Sequence, residues 1–382
     1  MITKERTQKG KDVWETEGIV KRYIKNPIIL PRDENMWESE LVYNTAAFKL
    51  DGTIYLIYRA MGEDHISRFG LAFSENGVNF RRFSYPVLLP TMDYEKPHSD
   101  MRGRRRERGG VEDPRAMVIG DYIYLIYTAF HKMCHLAMAR MKLDTFKNMV
   151  KQSIERSDDN LSLVWNDSWE RIGLIFPDLF EVPELFSRNS VMMRLNEELF
   201  LLLYRIHKGD ILVSFSNCPE GPWENRNISF LGKAFDWENE RLGISTPPIM
   251  IKMGDDVKNL FFYHGVEDQR MDGKLLKVYH LGVLFLTAIV DKDRVKLKIE
   301  RLKRPVLSPT KDYETNSEWL LSAGVHAVFS CGAVPAGEKE IFIYYGAGDS
   351  NINLARLIVD DLLTEEVLEE YKEIDLKLFG IK

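Results

Sequence analysis

Five runs of apolar and aromatic residues end in tyrosine, and three of the residues that directly follow them are cationic or can become so. The final tyrosines are Tyr58, Tyr127, Tyr204, Tyr263 and Tyr345. The residues after them are Arg59, Thr128, Arg205, His264 and Gly346. Guanidinium groups and histidine suit a phosphate or a carboxylate. If the five runs take equivalent places in the fold, we expect the three cations to form one anion site; otherwise each simply ends a strand at the surface.

An acidic motif precedes the second run. It reads Gly109-Gly110-Val111-Glu112-Asp113-Pro114-Arg115. The paired glycines let the backbone approach a ligand closely, and the proline stiffens the chain after the acid. We therefore predict Asp113 as a catalytic acid or a sugar-binding group, against the alternative that the turn is only structural. Asp349 follows a pair of glycines after the fifth run and could bind sugar hydroxyls.

Internal repeats indicate the elements that must position these residues. Ten residues from Pro86 to Glu95 recur almost unchanged from Pro305 to Glu314, and a looser copy runs from Pro27 to Glu38. The five final tyrosines are 69, 77, 59 and 82 residues apart. Three such steps make roughly the 219 residues between the two long copies. Repetition at this scale predicts a chain built from similar units.

The units have the character of β-strands. Each run is short, apolar and bounded by Gly, Asp or Asn, which predicts a buried strand, and a second apolar strand follows most runs. Five repeats of about four antiparallel strands predict an all-β fold, a five-bladed β-propeller, whose radial repetition leaves few exposed sheet edges. A large β-sandwich or two unrelated β domains are the alternatives, and the repeat disfavours both.

Two segments lie outside the repeats. The sequence divides into an N-terminal extension at 1–25, the propeller at 26–358 and a C-terminal extension at 359–382. From Asp360 to Phe379, apolar residues stand at helix-like spacing, so we predict short helical extensions at both ends. These would brace the outer blades or join subunits, which leaves a homo-oligomer open.

Composition excludes several function classes. The net charge of −6 argues against a nucleic-acid or membrane-surface binder. The arginine-rich stretch 102–108 lacks the interleaved aromatic residues of a nucleic-acid site. Three widely spaced cysteines, the absence of a signal peptide and the lack of a long apolar stretch predict a cytoplasmic protein. No metal-ligand cluster or phosphate-cradling glycine loop is present, so no metal and no organic cofactor are predicted.

Two long loops lie at 91–110 and 150–170. Trp165 and Trp169 lie in the second loop. If exposed, they would stack on sugar rings; equally, they could anchor the loop to the rest of the protein.

Motifs in the successive repeats together resemble glycoside hydrolase family 130. They are Asn44-Thr45-Ala46-Ala47, Tyr58-Arg59-Ala60, Gly110 to Arg115, Pro247-Pro248-Ile249, Tyr263-His264-Gly265 and Tyr344 to Asp349. The resemblance runs from about residue 26 to 358. That family contains β-mannoside phosphorylases and some β-mannosidases on a five-bladed propeller.

The resemblance implies a role for each motif residue. Asp113 would be the proton donor, acting through a hydroxyl of the bound mannose. The substrate would be bound by Asn44, Arg59, Arg115 and Asp349, the mannosyl unit by the first, second and last of these. The loops 91–110 and 150–170 would select the acceptor sugar. The phosphate site would consist of Arg171, Arg205, Arg241 and His264. At Arg241 the family has a lysine, so this chain keeps the charge and changes its geometry.

The implied cations favour phosphorolysis over hydrolysis. An inverting hydrolase needs a second carboxylate to activate water, whereas phosphate is already an anionic nucleophile and needs a cationic site. The expected reaction cleaves terminal β-mannosides, linked β-1,2 or β-1,4, with inorganic phosphate as co-substrate, and gives α-mannose 1-phosphate reversibly. Three alternatives stay open: a β-mannoside hydrolase of the same fold, a non-catalytic sugar-binding propeller, and a furanosidase of another propeller family. The last would need an acid where this chain has Asn44.

Overall fold

Strands make up most of the protein. The computed structural model describes residues 13–15, 18–99, 107–156, 161–182, 184–253, 256–271, 274–315, 325–364 and 367–378. With 57% strand and 12% helix, the predicted all-β class is confirmed. Within these described ranges, no helix is both long and apolar enough to span a membrane.

The strands of the first two repeats form antiparallel meanders. A short strand, β1 (Val20–Arg22), comes before them. The first repeat contains β2 (Leu41–Leu50), β3 (Thr53–Met61), β4 (Ile66–Ser74) and β5 (Arg81–Arg82). After β6 (His98–Ser99), the second contains β7 (Glu107–Ile119), β8 (Tyr122–Phe130), β9 (Cys134–Lys142), α1 (Leu143–Glu155), α2 (Leu161–Ser168) and β10 (Glu170–Leu174).

The remaining repeats follow the same plan. The third contains β11 (Ser187–Arg194), β12 (Phe200–Ile206), β13 (Ile211–Ser216) and β14 (Glu224–Leu231). The fourth contains β15 (Arg241–Ile244), β16 (Ile249–Met253), β17 (Asp256–Met271), β18 (Lys274–Asp291) and β19 (Arg294–Leu302). After α3 (Asp312–Thr315) come β20 (Val325–Pro335), β21 (Glu340–Ala347), β22 (Asn351–Ile358) and β23 (Val367–Lys377). Short 3-10 helices span Met36–Glu38, Pro177–Leu179, Asp236–Glu238 and Val359–Thr364.

Each repeat therefore forms a four-stranded antiparallel unit. In the fourth unit the first strand is split, because β15 and β16 both pair with β17 and Pro247-Pro248 between them cannot donate ladder hydrogen bonds. In the fifth unit the fourth strand is β1, which pairs with β22. Short parallel pairings of β4 with β7 and of β18 with β20 join neighbouring units.

A buried glutamate explains why the repeat is so well preserved within the chain. Glu38, Glu95, Glu238 and Glu314 are each 0% exposed. In four units the glutamate before the first strand accepts a hydrogen bond from the final tyrosine of the second strand and pairs with an arginine of the fourth strand. These Tyr–Glu–Arg clusters are Tyr58–Glu38–Arg82, Tyr127–Glu95–Arg171, Tyr263–Glu238–Arg301 and Tyr345–Glu314–Arg22.

The glutamate also closes its own turn. In the fifth unit, Oε2 of Glu314 accepts hydrogen bonds from the backbone N–H groups of Thr310 and Lys311, at 2.8 and 3.0 Å. A buried carboxylate costs several kcal/mol unless it is paired and fully hydrogen-bonded, so each part of the repeat is needed. The third unit has a different arrangement, in which Tyr204 accepts a hydrogen bond of 2.9 Å from the backbone of Asn227.

The predicted helix at the C-terminal end is wrong. After a 3-10 helix at Val359–Thr364, the chain forms β23, which pairs antiparallel with β19. Near its end, Ile374 is buried while Asp375 binds Arg294, the alternation of a half-covered strand. The open edge of β19 supplies backbone partners, and this tertiary pairing overrides the helix-like spacing of the preceding residues.

The N-terminal prediction is corrected in part. Residues 20–22 form β1 and pair with β22 instead of forming a helix. Residues 1–12 and 16–17 lie outside the described residues.

The helices of loop 150–170 pack on the core of the second unit. Trp165 is 0% exposed and donates a hydrogen bond from Nε1 to Oγ of Ser153 at 2.9 Å, and Trp169 is also buried. The anchoring alternative for these tryptophans is therefore the one that the structure supports.

Candidate active site

Backbone bulges place three polar side chains at equivalent points of the first strands. Asn44, Asp113 and Asn189 have φ of 45°, 51° and 55°, and the strand register shifts at each of them. Bulges re-aim side chains next to active sites, and Asn and Asp tolerate this left-handed backbone better than most residues. The residues after the five tyrosines lie on the neighbouring second strands, as the sequence predicts.

Asp113 is held by residues of three units. Its Oδ1 accepts hydrogen bonds from Nδ2 of Asn44 at 2.9 Å and from Nη1 of Arg59 at 3.2 Å. Arg115 donates from Nη1 to the backbone oxygen of Asp113 at 2.7 Å, and from Nε to that of Ser245 at 3.1 Å. The first unit therefore binds the carboxylate directly, and Arg115 links the backbone of the acid to the fourth unit. Asp113 is 4% exposed.

Two carboxylates of this region have pKa values shifted in opposite directions. Burial opposes ionisation of Asp113, but Arg59, Arg115, Arg188 and the hydrogen bond from Asn44 lower its pKa below the ordinary value. Burial raises the pKa of Asp349 to about 6, although Arg59 acts in the opposite direction. Separation of this kind is typical of acid–base sites. At neutral pH Asp113 is ionised in the free protein.

Asp349 comes to the site on a glycine-rich turn. It has φ of 48° and follows β21. A Cβ atom on Gly346 would lie 2.4 Å from Oδ1 of Asn44, so only glycine allows this end of the fifth unit to approach the first unit so closely.

Arg59 is enclosed by acids and an aromatic ring. It donates to Oε1 of Glu112 at 2.6 Å and to Oγ of Ser67 at 3.0 Å, besides its bond to Asp113. Its guanidinium carbon lies 4.6 Å from the centre of the Tyr43 ring. Its charge is therefore balanced, and it lies in a carboxylate cluster instead of an open anion site.

A separate cavity of about 300 Å³ is strongly cationic. Its lining residues are Phe130, Lys132, Met133, Cys134, Phe186, Arg188, Arg205, Lys208 and Arg241. Five of the nine are cations and none is a carboxylate. We call this space the cationic cavity.

The nearby carboxylates do not balance these cations. Glu112 binds Arg188 at 2.8 Å, but it is shared with Arg59. Glu240 binds Arg241 at 2.8 Å and Lys208 at 2.7 Å. Positive charge is therefore left in excess.

Arg205 shows this excess most clearly. Among the described residues no carboxylate lies within ion-pair distance of it; it donates to Oδ1 of Asn189 at 2.9 Å and to the backbone oxygen of His207. Burial, together with Arg241 and Arg188, lowers the pKa of Arg205 to about 9. A bound anion would remove this penalty, so the cavity has the electrostatics of an anion site.

His264 lies beside the cavity as a neutral side chain. It is 1% exposed, and its Nδ1 lies 3.2 Å from Oγ of Ser245. Burial, together with Arg205, Arg115 and Arg241, lowers its pKa well below the ordinary value. A Cβ atom on Gly243 would lie 2.4 Å from Nε2 of His264, which places the ring tightly over this glycine. His264 can therefore donate or accept a hydrogen bond but carries no charge at neutral pH.

The structure brings together most of the predicted site residues. Asn44, Arg59, Asp113 and Arg115 form one connected cluster. Arg205 and Arg241 line the cationic cavity, and both act on the pKa of His264.

Arg171 is not brought to this cavity. It pairs with Glu95 at 3.4 Å and donates to the backbone oxygen of Leu89 and to Oδ1 of Asn166, at 2.8 and 3.1 Å. Its place is that of the arginine in the second unit's Tyr–Glu–Arg cluster, where Nε and Nη2 bind groups inside the fold and Nη1 is buried.

Three residues of the site were not singled out from the sequence: Glu112, Arg188 and Asn189. A signal for Asn189 exists, because Asn44 and Asp113 each stand 15 residues before the residue after the tyrosine, and Asn189 stands 16 before Arg205. With the same shift of one residue, Arg188 takes the position that Tyr43 and Glu112 occupy in the first two units.

The fold and the site define a class of protein: a repeat protein of antiparallel sheets in which a buried acid lies near a cationic cavity. A family model described as beta-1,4-mannooligosaccharide phosphorylase, that of glycoside hydrolase family 130, matches residues 15–369. The chain belongs to glycoside hydrolase family 130.

Characterised relatives in sequence are phosphorylases by name. The chain is 29% identical over 350 residues to 1,2-beta-oligomannan phosphorylase of Thermoanaerobacter sp., covering 90% of this chain and 98% of the relative. It is 30% identical over 354 residues to beta-1,4-mannooligosaccharide phosphorylase of Ruminococcus albus, covering 91% of each.

A solved structure shares the fold. Beta-1,2-mannobiose phosphorylase from Listeria innocua, in complex with beta-1,2-mannobiose, matches with a TM-score of 0.63 and 19% identity. The match covers 90% of this chain and 98% of that chain.

Proposed function

We propose that this protein is an inverting phosphorylase that cleaves terminal β-mannosides with inorganic phosphate and releases α-mannose 1-phosphate. The observation that carries the proposal is the cationic cavity, in which the buried Arg205 has no carboxylate partner among the described residues. Membership of the family and the names of the relatives support the same activity.

The two halves of the site have separate tasks in this proposal. Asn44, Arg59 and Asp349 bind the mannosyl unit next to Asp113, and Arg115 holds the backbone of the acid. Phosphate binds to Arg188, Arg205 and Arg241, with a neutral hydrogen bond from His264. Arg171 has no part in the phosphate site.

The reaction is a single displacement. A phosphate oxygen forms a bond to the anomeric carbon while the bond from that carbon to the acceptor oxygen breaks, with inversion. Asp113 supplies the proton that the acceptor oxygen needs, through a hydroxyl of the bound mannose. Phosphate enters with a proton that the sugar ester does not keep, so Asp113 regains a proton over each cycle. The lowered pKa of Asp113 requires that substrate binding first changes its surroundings.

Hydrolysis fits the site less well. An inverting hydrolase needs a carboxylate to activate water on the face opposite the acid. Cations line the cavity available for the nucleophile, and the described residues that line it include no carboxylate. Water in such a cavity would have no base, whereas phosphate would have its charge neutralised.

The arrangement of the units supports the five-bladed β-propeller. Five four-stranded units follow each other, and β1 completes the fifth, so that the first and last parts of the chain share a sheet. This pairing moves residues 20–22 from the proposed N-terminal extension into the propeller, and β23 extends the fourth unit.

Other parts of the proposal stay predictions. Phosphate is the co-substrate and no cofactor is proposed; within the described ranges, no group of three or more His, Cys, Asp or Glu residues could hold a metal ion. The cytoplasmic location, a homo-oligomeric state and the choice between β-1,2 and β-1,4 linkages likewise await experiment.

The test is a comparison of β-1,2- and β-1,4-mannobiose with and without inorganic phosphate, in which mannose 1-phosphate and free mannose are both measured. We expect mannose 1-phosphate only when phosphate is present. The disaccharide that is cleaved faster identifies the preferred linkage. Release of both sugars as free mannose at the same rate without phosphate would show a hydrolase instead.

Replacement of the acid tests the mechanism. Asp113→Asn keeps the shape and the hydrogen-bond acceptor but cannot donate a proton as an acid. We expect kcat to fall by about 10²- to 10⁴-fold, the usual contribution of general acid catalysis, with the fold intact by circular dichroism. A variant with wild-type kcat would contradict the role of Asp113.

A further inference from the structure

Glu112 joins two arginines that belong to different halves of the site. Its Oε1 accepts a hydrogen bond of 2.6 Å from Nη2 of Arg59, and its Oε2 accepts one of 2.8 Å from Nη2 of Arg188. The side chain is almost fully buried. In the proposed function, Arg59 lies on the sugar side and Arg188 on the phosphate side. One carboxylate therefore spans the two binding sites.

The two arginines differ in what else holds them. Arg59 has further contacts with Asp113, Ser67 and the ring of Tyr43. Among the described residues, the guanidinium of Arg188 has one other hydrogen bond, to Sγ of Cys134 at 2.6 Å, and sulfur is a weak acceptor. Glu112 is therefore the main group that orients Arg188 in the cationic cavity.

We propose that Glu112 is a positioning residue for phosphate: it holds the guanidinium of Arg188 in the cationic cavity and fixes it relative to Arg59. This role rests on the proposed function, because only a phosphorylase must align a bound phosphate with a bound sugar. A displacement of about 1 Å between reacting groups can cost a hundredfold in rate. A rigid link between the two sites limits such displacement.

A carboxylate at this place could also act as a simple counter-charge, and the two roles predict opposite results. Glu112→Gln removes one negative charge beside the cavity. If Glu112 is only a counter-charge, phosphate should bind more tightly to the variant. If Glu112 positions Arg188, phosphate should bind more weakly, because the amide has one acceptor oxygen and its NH₂ group must face one of the two arginines.

Glu112→Asp separates charge from position. The charge is kept, but the side chain is one methylene shorter and cannot reach both Arg59 and Arg188. We expect both variants to raise the KM for phosphate on the order of tenfold or more. The KM for mannobiose should change less, because Arg59 keeps its other contacts. A lower phosphate KM in Glu112→Gln with a wild-type value in Glu112→Asp would overturn the proposal.

A matched control and a coupling experiment complete the design. Glu170 lies on β10, the outer strand of the second unit, and its carboxylate binds Arg140. Glu170→Gln should therefore leave the phosphate KM unchanged. If Glu112→Gln does not fold, Glu112→Asp is combined with Arg188→Gln. The double variant should have the phosphate KM of Arg188→Gln alone, because Glu112 acts through Arg188. If the fold-increases in phosphate KM of the two single variants multiplied in the double variant, the proposal would be contradicted.

Failure of this role and failure of the proposed function give different results. A wild-type protein that releases no mannose 1-phosphate from either mannobiose overturns the function, and the role of Glu112 with it. An active wild-type protein whose phosphate KM is the same in both Glu112 variants overturns the role alone.

Discussion

Arginines inside the fold occur in two regions of this protein, and the two regions differ in whether a carboxylate pairs with the arginine. In the four Tyr–Glu–Arg clusters each arginine faces a fully buried glutamate; Arg301, for example, lies 2.8 Å from Glu238, and both side chains are 0% exposed. In the cationic cavity, Arg205 is also buried, at 4% exposed, but has only neutral hydrogen-bond partners among the described residues.

The difference teaches which arginines serve folding and which serve binding. When a buried cation is paired with a carboxylate, each charge neutralises the other, and removal of either partner leaves the remaining charge buried and unpaired. A buried cation without one is destabilising until an anion arrives. We therefore expect mutations in the two regions to have opposite effects on stability and on phosphate binding.

The largest effect on stability should come from Arg171→Met in the second unit's cluster. The substitution leaves Glu95 buried without its counter-charge, so we expect the free energy of unfolding to fall by about 3–5 kcal/mol. The phosphate KM of the folded enzyme should stay unchanged. Urea denaturation and steady-state kinetics measure the two quantities.

Arg226→Met provides the control for Arg171→Met. Arg226 pairs with Asp178 at an exposed site, so its loss should cost less than about 1 kcal/mol. If Arg171→Met instead weakened phosphate binding without a loss of stability, the contrast between the two regions would fail at this residue.

Arg205→Met should have the reverse profile. Charged hydrogen bonds contribute about 1.5–3 kcal/mol, so we expect the phosphate KM to rise about 10- to 100-fold. The free energy of unfolding in the absence of phosphate should be unchanged or higher, because a cation without a carboxylate partner has been removed. Isothermal titration with phosphate gives the affinity directly, and a clear loss of stability would contradict this view of Arg205.

The third unit offers a smaller comparison. Tyr263 donates to buried Glu238 at 2.8 Å, whereas Tyr204 accepts from a backbone N–H group. We expect Tyr263→Phe to cost about 1.5–3 kcal/mol and Tyr204→Phe about 0.5–1.5 kcal/mol, because hydrogen bonds to charged groups are stronger. Equal losses of unfolding free energy in the two variants would show that the clusters add nothing to a plain hydrogen bond.

The last prediction concerns Asp349, an acid whose pKa is shifted by burial, as that of Arg205 is. Burial raises its pKa from 3.8 to about 6, so the folded protein binds this proton more tightly than the unfolded chain does. The resulting stability is fully present below pH 3.8 and is lost as the pH rises through about 6. Relative to Asp349→Asn, which cannot titrate, the wild type should therefore become less stable between about pH 4 and pH 7. If plots of unfolding free energy against pH ran parallel for the wild type and Asp349→Asn across this range, the raised pKa of Asp349 would be excluded.

Much of the fold could be predicted from the sequence, because repetition and strand patterns are local signals. The five final tyrosines all lie in second strands, and the family assigned from the motifs is confirmed. The C-terminal strand could not be predicted, since its partner is the edge of β19, about 75 residues away in the chain.

The site was harder, because charge and spacing do not say what an arginine faces. Arg171 lies on the last strand of the second unit and Arg188 on the first strand of the third, and their charge alone would suit either to bind phosphate. Only the structure shows that Arg171 meets Glu95 inside the fold, whereas Arg188 lies on a bulged first strand beside the cavity.

The pairing of β1 with β22 has a consequence for synthesis of the protein. Arg22 on β1 supplies the positive charge for Glu314, which lies 292 residues later. At roughly 5–20 residues per second, a ribosome needs on the order of 15–60 s to make the intervening chain. During that time β1 has no sheet to join, and the fifth unit cannot be completed before translation has nearly finished. Completion of the fifth unit's sheet is therefore a late event, and a fusion that restrains the N-terminal strand should slow maturation more than one at the other end.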